Sequence, residues 1–437
     1  MQRIYSLFQK YTPSILLISF FLQSCSNLEN SIIPIENEDK KMRNYIHGLL
    51  GRYDCDNDKA LHLSITKAGM FLTDHLDRLY IDIKNVDRKS LQYLAIAAVR
   101  RSYVPAIKEL IIKDLPASRD KNKDGNRPLH LAAQNGCIEI VKLLLEHSNY
   151  TDYENEDGNT PLHLAAQNGY IEVVKYLVEK GAYIKTKKHE YDRSNNYNPL
   201  HLAAKHGHLE IVKYLVGKGA DYEFRNYGNT PLDGAAIYGH IEIVRYLVGK
   251  GINTIKEYGY EFNTLHLAAQ NGHLEVVEYL IEKGADKEAI YNFNNNKPLH
   301  LAAQNGHVGV VKYLIEQGVG KNVKNENGDT PLHLAAQNGH MEMVKYLIEQ
   351  GIDKGAKNVR GYTPLHHAAN KGHMEVVKYL VELGADKEAR NDDGNTPLHL
   401  AAVYIYEIAA YTEIVKYLVD KGADKGAINK RGRTPLI

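Results

Sequence analysis

A tetrapeptide, Thr-Pro-Leu-His, recurs along this chain with a period near 33 residues, and that period constrains the fold more than any other feature. Intact copies begin at Thr160, Thr330, Thr363 and Thr396. Variant copies with the same spacing are Arg127–His130, Asn198–His201, Thr230–Asp233, Asn263–His266, Lys297–His300 and Thr434–Ile437. A fixed period of this length is typical of repeat proteins whose units pack only on their neighbours. The sequence therefore predicts a stacked solenoid with an extended binding surface, not a globule with one catalytic cleft.

Residues 362–394 show what one repeat contains. Thr363 and Pro364 predict a helix start, because proline lacks the N–H that the first helical turn leaves unpaired. A short helix with small residues follows, and Met374–Leu383 has apolar residues at the spacing of a second, half-buried helix. Gly384 is placed for a left-handed C-terminal cap. The polar end of the repeat closes with Asp-Gly, a hairpin-turn signal, so the predicted unit is helix, turn, helix and projecting hairpin.

This unit resembles the ankyrin repeat, whose signature is G-x-TPLHLAA-x-x-G-H-x-E-I-V-x-L-L-x-x-G-A-D. The resemblance implies an all-α (helix-turn-helix plus β-hairpin) ankyrin-repeat solenoid, which binds protein partners through its hairpin tips and the concave face of its inner helices. Nine ankyrin repeats are expected over residues 126–432, and a partial repeat over 433–437. Residues 59–125 carry decayed copies of the motif, so we expect divergent N-terminal ankyrin-like capping repeats there.

The first 24 residues have the composition of a signal peptide. Basic residues precede an apolar run that ends at Leu22 and is too short to span a bilayer as a mature helix. The segment Leu22–Cys25 resembles the lipobox of bacterial lipoproteins, although Gln23 departs from the small or aliphatic residue usual there. The resemblance implies cleavage before Cys25 and lipidation of its thiol. An ordinary secretory signal with a chance cysteine and a buried apolar segment are the alternatives.

Residues 25–58 are mostly polar and without periodicity, which predicts a tether between the lipid and the repeats. By analogy with lipoproteins, the non-acidic Ser26 suits the outer membrane. The expected location is the bacterial cell envelope, lipid-anchored and at the outer membrane, with secretion as the alternative.

Composition and motifs argue against several classes of function. The net charge is +1, which gives no electrostatic footprint for nucleic acid. Three cysteines cannot form a disulfide framework. The chain has no phosphate-binding loop, no nucleophile-elbow motif and no zinc-protease motif, so we predict no enzyme, no cofactor and no small-molecule substrate. An enzymatic alternative would place its active site in the N-terminal region.

The positions of the 21 histidines predict a structural role for them rather than a metal site. Eight stand at the fourth position of the tetrapeptide, and seven more flank the turn between the two helices. Stacked helices lie about 8–10 Å apart, whereas ligands must lie about 2.0–2.3 Å from one metal ion. Equivalent histidines in adjacent repeats therefore cannot share a metal, and we expect them to fix the hairpin–helix junction by local hydrogen bonds.

Aromatic residues concentrate in the hairpins of the middle repeats. These candidate partner-binding residues are Tyr183, Tyr191, Tyr197, Tyr222, Phe224, Tyr227, Tyr258, Tyr260, Phe262, Tyr291 and Phe293. Exposed aromatics on rigid neighbouring elements are typical of interface hot spots. The alternative is that some of them pack against neighbouring hairpins.

Departures from the repeat pattern fall in the same region. Asp233-Gly234 replaces His-Leu, and Thr264 replaces the proline of its tetrapeptide. These departures are consistent with a specialised binding stretch or with relaxed repeats. The inner helices otherwise repeat Gln-Asn-Gly, which predicts a regular polar strip more than a tuned pocket.

Together these features predict a non-enzymatic, monomeric scaffold for protein–protein interaction that is joined to a membrane by its lipidated N-terminus. A secreted or surface-exposed, host-directed effector or adhesin and a periplasmic scaffold for a resident protein are the alternatives within binding functions. The sequence predicts a protein partner and no nucleic acid.

Overall fold

The helical repeats of the chain are visible over most of its length. The computed structural model describes residues 121–122, 124–147, 150–185, 197–226, 229–251, 263–291, 294–403 and 409–435. Within these ranges the chain forms 18 α-helices. The predicted signal peptide, the tether and the capping repeats up to residue 120 lie outside the described residues, and those predictions stay predictions.

By its internal contacts the chain divides into two compact units, residues 1–183 with 188–196 and residues 184–187 with 197–437. Each repeat contributes an inner helix, which starts with the tetrapeptide, and an outer helix. The first unit contains α1 (Pro128–Gln134), α2 (Ile138–Glu146), α3 (Pro161–Asn168) and α4 (Ile171–Glu179). The second contains α5 (Pro199–Lys205), α6 (Leu209–Gly217), α7 (Pro231–Ile237), α8 (Ile241–Gly249), α9 (Thr264–Asn271), α10 (Leu274–Glu282), α11 (Pro298–Gln304), α12 (Val308–Glu316), α13 (Pro331–Gln337), α14 (Met341–Glu349), α15 (Pro364–Lys371), α16 (Met374–Glu382), α17 (Pro397–Ala402) and α18 (Ala409–Asp420). Odd numbers are inner helices and even numbers are outer helices.

Small residues allow consecutive inner helices to approach closely. In the second unit each inner helix contacts the inner helix of the next repeat, and the alanine pair at its centre is fully buried, as Ala302 and Ala303 show. The outer helices bury larger side chains against the inner layer, such as Val311 and Leu314 of α12. Each such valine or leucine contributes about 1.5–3 kcal/mol on burial, so each repeat of the second unit adds to its stability.

The helix ends follow the predicted signals. The Thr363 side chain accepts a hydrogen bond from the His366 N–H, and Pro364 occupies the first turn. Gly384, after the outer helix α16, has φ +81°, the left-handed conformation that glycine adopts without steric cost. The helix-turn-helix unit predicted from the sequence is confirmed.

The hairpins are turns closed by asparagine side chains. The Asn358 Oδ1 accepts the backbone N–H groups of Arg360 and Tyr362 at 3.0 and 2.9 Å. Its Nδ2 donates to Asp329 of the preceding hairpin at 2.8 Å. Among the described residues the hairpins contain isolated β-bridges but no strand, because these side chains satisfy the N–H groups that a ladder would otherwise use.

The outer helix of the last described repeat is longer than those before it. Helix α18 has 12 residues against nine in the other outer helices of the second unit. Tyr411 is buried against Gly372, and its hydroxyl donates to the Asn370 carbonyl at 3.0 Å. No helix in the described part of the chain combines the length and the hydropathy needed to cross a bilayer.

Candidate interaction face

The histidines of the tetrapeptide join each inner helix to the hairpin of the next repeat. The Nδ1 of His366 accepts the Thr363 N–H at 3.1 Å, and its Nε2 donates to the Asn395 carbonyl at 3.0 Å. Burial lowers the pKa of His366 to about 4, although the hydrogen bond to Asn395 opposes that change. Burial likewise lowers the pKa of His130, His201, His300 and His333 to about 4. These rings are neutral at neutral pH, and their predicted role at the hairpin–helix junction is confirmed.

The histidines that follow Gly in the inter-helix turn connect neighbouring repeats at the other end of the inner helix. The Nε2 of His340 donates to the Gln304 carbonyl at 2.9 Å, and its ring lies against Gly306, where an added Cβ would be 2.8 Å from Nδ1. Within the described ranges no three His, Cys, Asp or Glu side chains are grouped so that they could hold a metal ion. The arrangement of both histidine sets is that of structural hydrogen bonding.

Asp233 and Thr264 replace one histidine junction by another pair of residues. The fully buried Asp233 carboxylate accepts the Thr230 N–H and hydroxyl at 2.9 Å each. The Thr264 hydroxyl of the next repeat donates to its second oxygen at 2.7 Å. An aspartate cannot donate to the next repeat as histidine does, so the next repeat supplies a donor in place of proline. The two departures seen in the sequence therefore belong together, because the Asp233–Thr264 hydrogen bond takes the place of the histidine–carbonyl hydrogen bond of other repeats.

Of the predicted partner-binding aromatics, the structure describes five. Tyr191, Tyr227, Tyr258, Tyr260, Phe262 and Phe293 lie outside the described residues, as does Cys25. Tyr183 is 59% exposed, whereas Tyr197, Tyr222, Phe224 and Tyr291 are half-buried. The rings of Tyr197 and Phe224 both contact the ring of His201, with centroid distances of 5.7 and 5.9 Å. Tyr291 contacts His266 in the same way, at 5.8 Å.

The inner helices carry a second candidate surface that the hairpin aromatics do not indicate. In the second unit, the two residues after the alanine pair are Gln-Asn in three consecutive repeats, at 270–271, 304–305 and 337–338. They are Lys205-His206 and Ile237-Tyr238 in the first two repeats of this unit. Tyr238 is 51% exposed. The signal was present in the sequence as two interruptions of the Gln-Asn strip, but only the fold places them side by side with Tyr197.

Lys205 is held between two tyrosine rings. Its Nζ lies 5.9 Å from the ring centroid of Tyr197 and 5.5 Å from that of Tyr238. Its carbonyl accepts a hydrogen bond from His240 at 3.0 Å, which fixes the backbone below. Within the described part of the chain Lys205 forms no salt bridge. Beside it lies Gly234, where an added Cβ would be 3.7 Å from the Lys205 Cβ. We call Tyr197, Lys205, Gly234, Ile237 and Tyr238 the inner-face patch.

Tyr197 weakens the hairpin contacts that other repeats make. At the equivalent position, Asn296 and Asp329 accept a hydrogen bond from the asparagine amide of the next hairpin. At Tyr197 and at the equivalent Tyr362 no such acceptor is present, and the buried Nδ2 atoms of Asn226 and Asn391 have no hydrogen-bond partner among the described residues. An unpaired buried amide costs about 1–3 kcal/mol, so each of these tyrosines is present despite a cost to stability.

Comparison with known proteins gives consistent matches. A family model described as "Ankyrin repeats (3 copies)" matches residues 94–188, 183–258, 265–358 and 353–429. The chain is also similar to Ankyrin repeat domain-containing protein 49 of Drosophila melanogaster, at 32% identity over 108 residues. That alignment covers 23% of this chain and 50% of the relative, so the chain spans about half the length of the curated relative it matches.

Proposed function

We propose that this chain, which belongs to the ankyrin-repeat family because the family matches cover more than half of its length, is a protein–protein interaction scaffold. It holds its protein partner on the inner-face patch. The function proposed is binding without catalysis. The aromatic residues in the hairpins of the middle repeats would extend the contact with the partner. In the sequence these hairpins adjoin the inner helices that carry the inner-face patch.

The observation that carries this proposal is the contrast between the patch and the strip that continues it. On the next three repeats the glutamines are half-buried and the exposed asparagines donate to leucine carbonyls of their own helices, so these positions offer no aromatic or aliphatic anchor. Tyrosine supplies a large contact area with few rotatable bonds, and residues of this kind dominate binding energy at interfaces. The patch joins two tyrosines, a residue type enriched at interface centres, with an isoleucine and a lysine that forms no ion pair among the described residues.

The test is a consensus-reversion variant of the full-length chain, Lys205→Gln, His206→Asn, Ile237→Gln and Tyr238→Asn. Gln-Asn occupies the same helical positions in three neighbouring repeats, so this variant is expected to fold and melt as the parent does. We expect it to lose capture of the partner from a lysate of the source cells, measured by quantitative mass spectrometry. Capture at the parental level would contradict the proposal.

A matched control moves the same side chains to another place. This transplant variant is made on the reverted chain and carries Gln304→Lys, Asn305→His, Gln337→Ile and Asn338→Tyr. It restores the composition of the patch but not the residues that surround it. It lacks a tyrosine equivalent to Tyr197 and a glycine equivalent to Gly234. We expect no recovery of capture.

The hairpin contribution has a separate test. Tyr222, Tyr227, Tyr258 and Tyr260 are changed to Ser, and capture is expected to fall while the melting temperature hardly changes. The control changes Tyr313, Tyr346 and Tyr379 to Ser, because these recur at one position of the outer helices, away from the tetrapeptide. Unaltered capture by the hairpin variant would remove the hairpins from the proposal.

We further propose that the scaffold is anchored by lipid in a bacterial envelope through Cys25, at the outer membrane. The support is the basic and apolar leader followed by a cysteine at the lipobox position. Cys25→Ser is expected to move the protein from the membrane to the soluble fraction, and unchanged fractionation would contradict lipidation. Antibody labelling of intact against permeabilised cells then separates a surface-exposed, host-directed adhesin from a periplasmic scaffold.

A further inference from the structure

Gly234 leaves one position of the inner-face patch without the side chain that every other described repeat carries there, and we call this position the recess. The residue after the tetrapeptide is leucine in seven described repeats, where its side chain is only 4–8% exposed. It is His367 in one repeat and Gly234 in another. Gly234 is half-buried, and a side chain added there would lie against the Cα and Cβ of Lys205. The wall between these two inner helices therefore lacks a side chain of leucine size.

A positive charge borders this recess. Lys205 is the one charged residue among the paired positions 205–206, 237–238, 270–271, 304–305 and 337–338, taking histidine as neutral. Its ammonium group is near two tyrosine rings, and the described residues offer it no carboxylate. A lysine held in this way, with no ion-pair partner within the described ranges, is suited to meet an anionic group of a bound molecule.

We infer that the recess at Gly234 accepts an aliphatic side chain of about leucine size from a protein partner, and that a carboxylate within a few residues of it in the partner pairs with Lys205. This inference rests on the proposed function, because it names the chemistry of the partner for the same patch. The seven leucines show what volume the position takes when it is filled from within. The tyrosines on either side of Lys205 would then cover the partner's backbone and exclude water from the ion pair.

The test begins with a random dodecapeptide library displayed on phage and selected on the full-length chain. We expect enriched peptides to share Leu, Ile or Met with Asp or Glu within a few residues. The strongest peptide is then synthesised with a fluorophore, and its affinity is measured by anisotropy for the parent and for Gly234→Ala and Gly234→Leu. An added methyl at 234 meets only ordinary contacts at 3.7 Å, so Gly234→Ala is expected to bind nearly as the parent does.

Gly234→Leu fills the recess with the residue that seven other repeats carry, so it is expected to fold and to melt no lower than the parent. We expect it to weaken peptide binding at least about 10-fold, the loss that follows from excluding one aliphatic side chain. A loss of binding in a variant that remains folded cannot be ascribed to unfolding.

Charge pairing is tested by a double-mutant cycle. Lys205→Gln is measured with the peptide and with its Asp→Asn or Glu→Gln analogue, and the two changes are expected to be non-additive by about 3-fold or more. Additive effects, parental binding by Gly234→Leu, or a selection that yields no aliphatic–acidic pair would each overturn the inference. The proposed function is judged apart from it, since the consensus-reversion variant reports on capture of the natural partner whatever its chemistry.

Discussion

Mild acid should remove most of the stability of the second unit, because its buried junction histidines are neutral in the folded state. The pKa of His201, His300, His333 and His366 in the second unit is lowered by burial from 6.5 to about 4. Between these values the unfolded chain binds protons that the folded chain does not, so the free energy of unfolding falls as the pH falls below 6.5 and levels off below about 4. At neutral pH the stabilisation is fully present.

The size of the effect follows from the same shift. At pH 5 each of these histidines costs about 2 kcal/mol relative to pH 7.5, and the four together cost about 8 kcal/mol. A typical domain has a total stability of about 5–15 kcal/mol. The second unit is therefore expected to lose most of its stability between pH 6.5 and pH 5, well above the pH at which surface carboxylates titrate.

The assay is urea denaturation followed by far-UV circular dichroism at pH 7.5, 6.5, 5.5 and 5. His333→Gln is expected to be less stable than the parent at pH 7.5, since it loses the hydrogen bond to the Tyr362 carbonyl, but to lose about 2 kcal/mol less on acidification. His147→Gln is the matched control, because this side chain is exposed and does not belong to a hairpin–helix junction. A stability that stays constant from pH 7.5 to pH 5 would refute the reasoning.

Two further substitutions test single contacts, each by its free energy of unfolding in urea. In Gly306→Ala the residue keeps φ +78° and gains a Cβ 2.8 Å from the His340 ring, so we expect a loss of about 2–3 kcal/mol. The control is Gly318→Ala, where φ is +86° but no atom lies within 4 Å, and there we expect a loss of about 1 kcal/mol. Equal losses would show that the ring contact is unimportant. Thr264→Pro restores the usual proline but removes the hydroxyl that donates to the buried Asp233, so we expect a loss of about 1–3 kcal/mol. Adding Asp233→His should recover this loss. A single variant as stable as the parent would show that Thr264 does not compensate for Asp233.

The periodic part of the fold could be predicted from the sequence because each repeat contains residues that mark where its helices begin, turn and end. Thr363, Pro364 and Gly384 occupy the cap and turn positions expected of them. The hairpins were expected to be β-hairpins, but in the described residues Asn358 and its equivalents close them with side-chain hydrogen bonds. Period alone cannot distinguish a backbone ladder from an asparagine-closed turn.

The candidate site was harder to predict, since it depends on contacts between residues far apart in the sequence. The sequence predicts Tyr197 and Phe224 to be exposed aromatics, whereas both rings contact His201, because the fold brings the hairpin against the inner helix. Tyr238 lies in an inner helix, outside the hairpins in which the sequence predicts the partner-binding aromatics, although it departs from the Gln-Asn pattern. The proximity of Lys205 to Gly234 could not be predicted from the sequence, because it depends on the distance between neighbouring inner helices.

The hydrogen bond between Asp233 and Thr264 also restricts how this gene can recombine. Repeats joined by a histidine and a carbonyl are interchangeable, because every such repeat offers the same donor and acceptor, and whole units can be gained or lost between them. A crossover that separates Asp233 from Thr264 would leave a buried carboxylate opposite proline, which has neither a hydroxyl nor an N–H to donate. Selection against this loss of stability would keep the two repeats together, and with them Gly234 and Tyr238 of the inner-face patch.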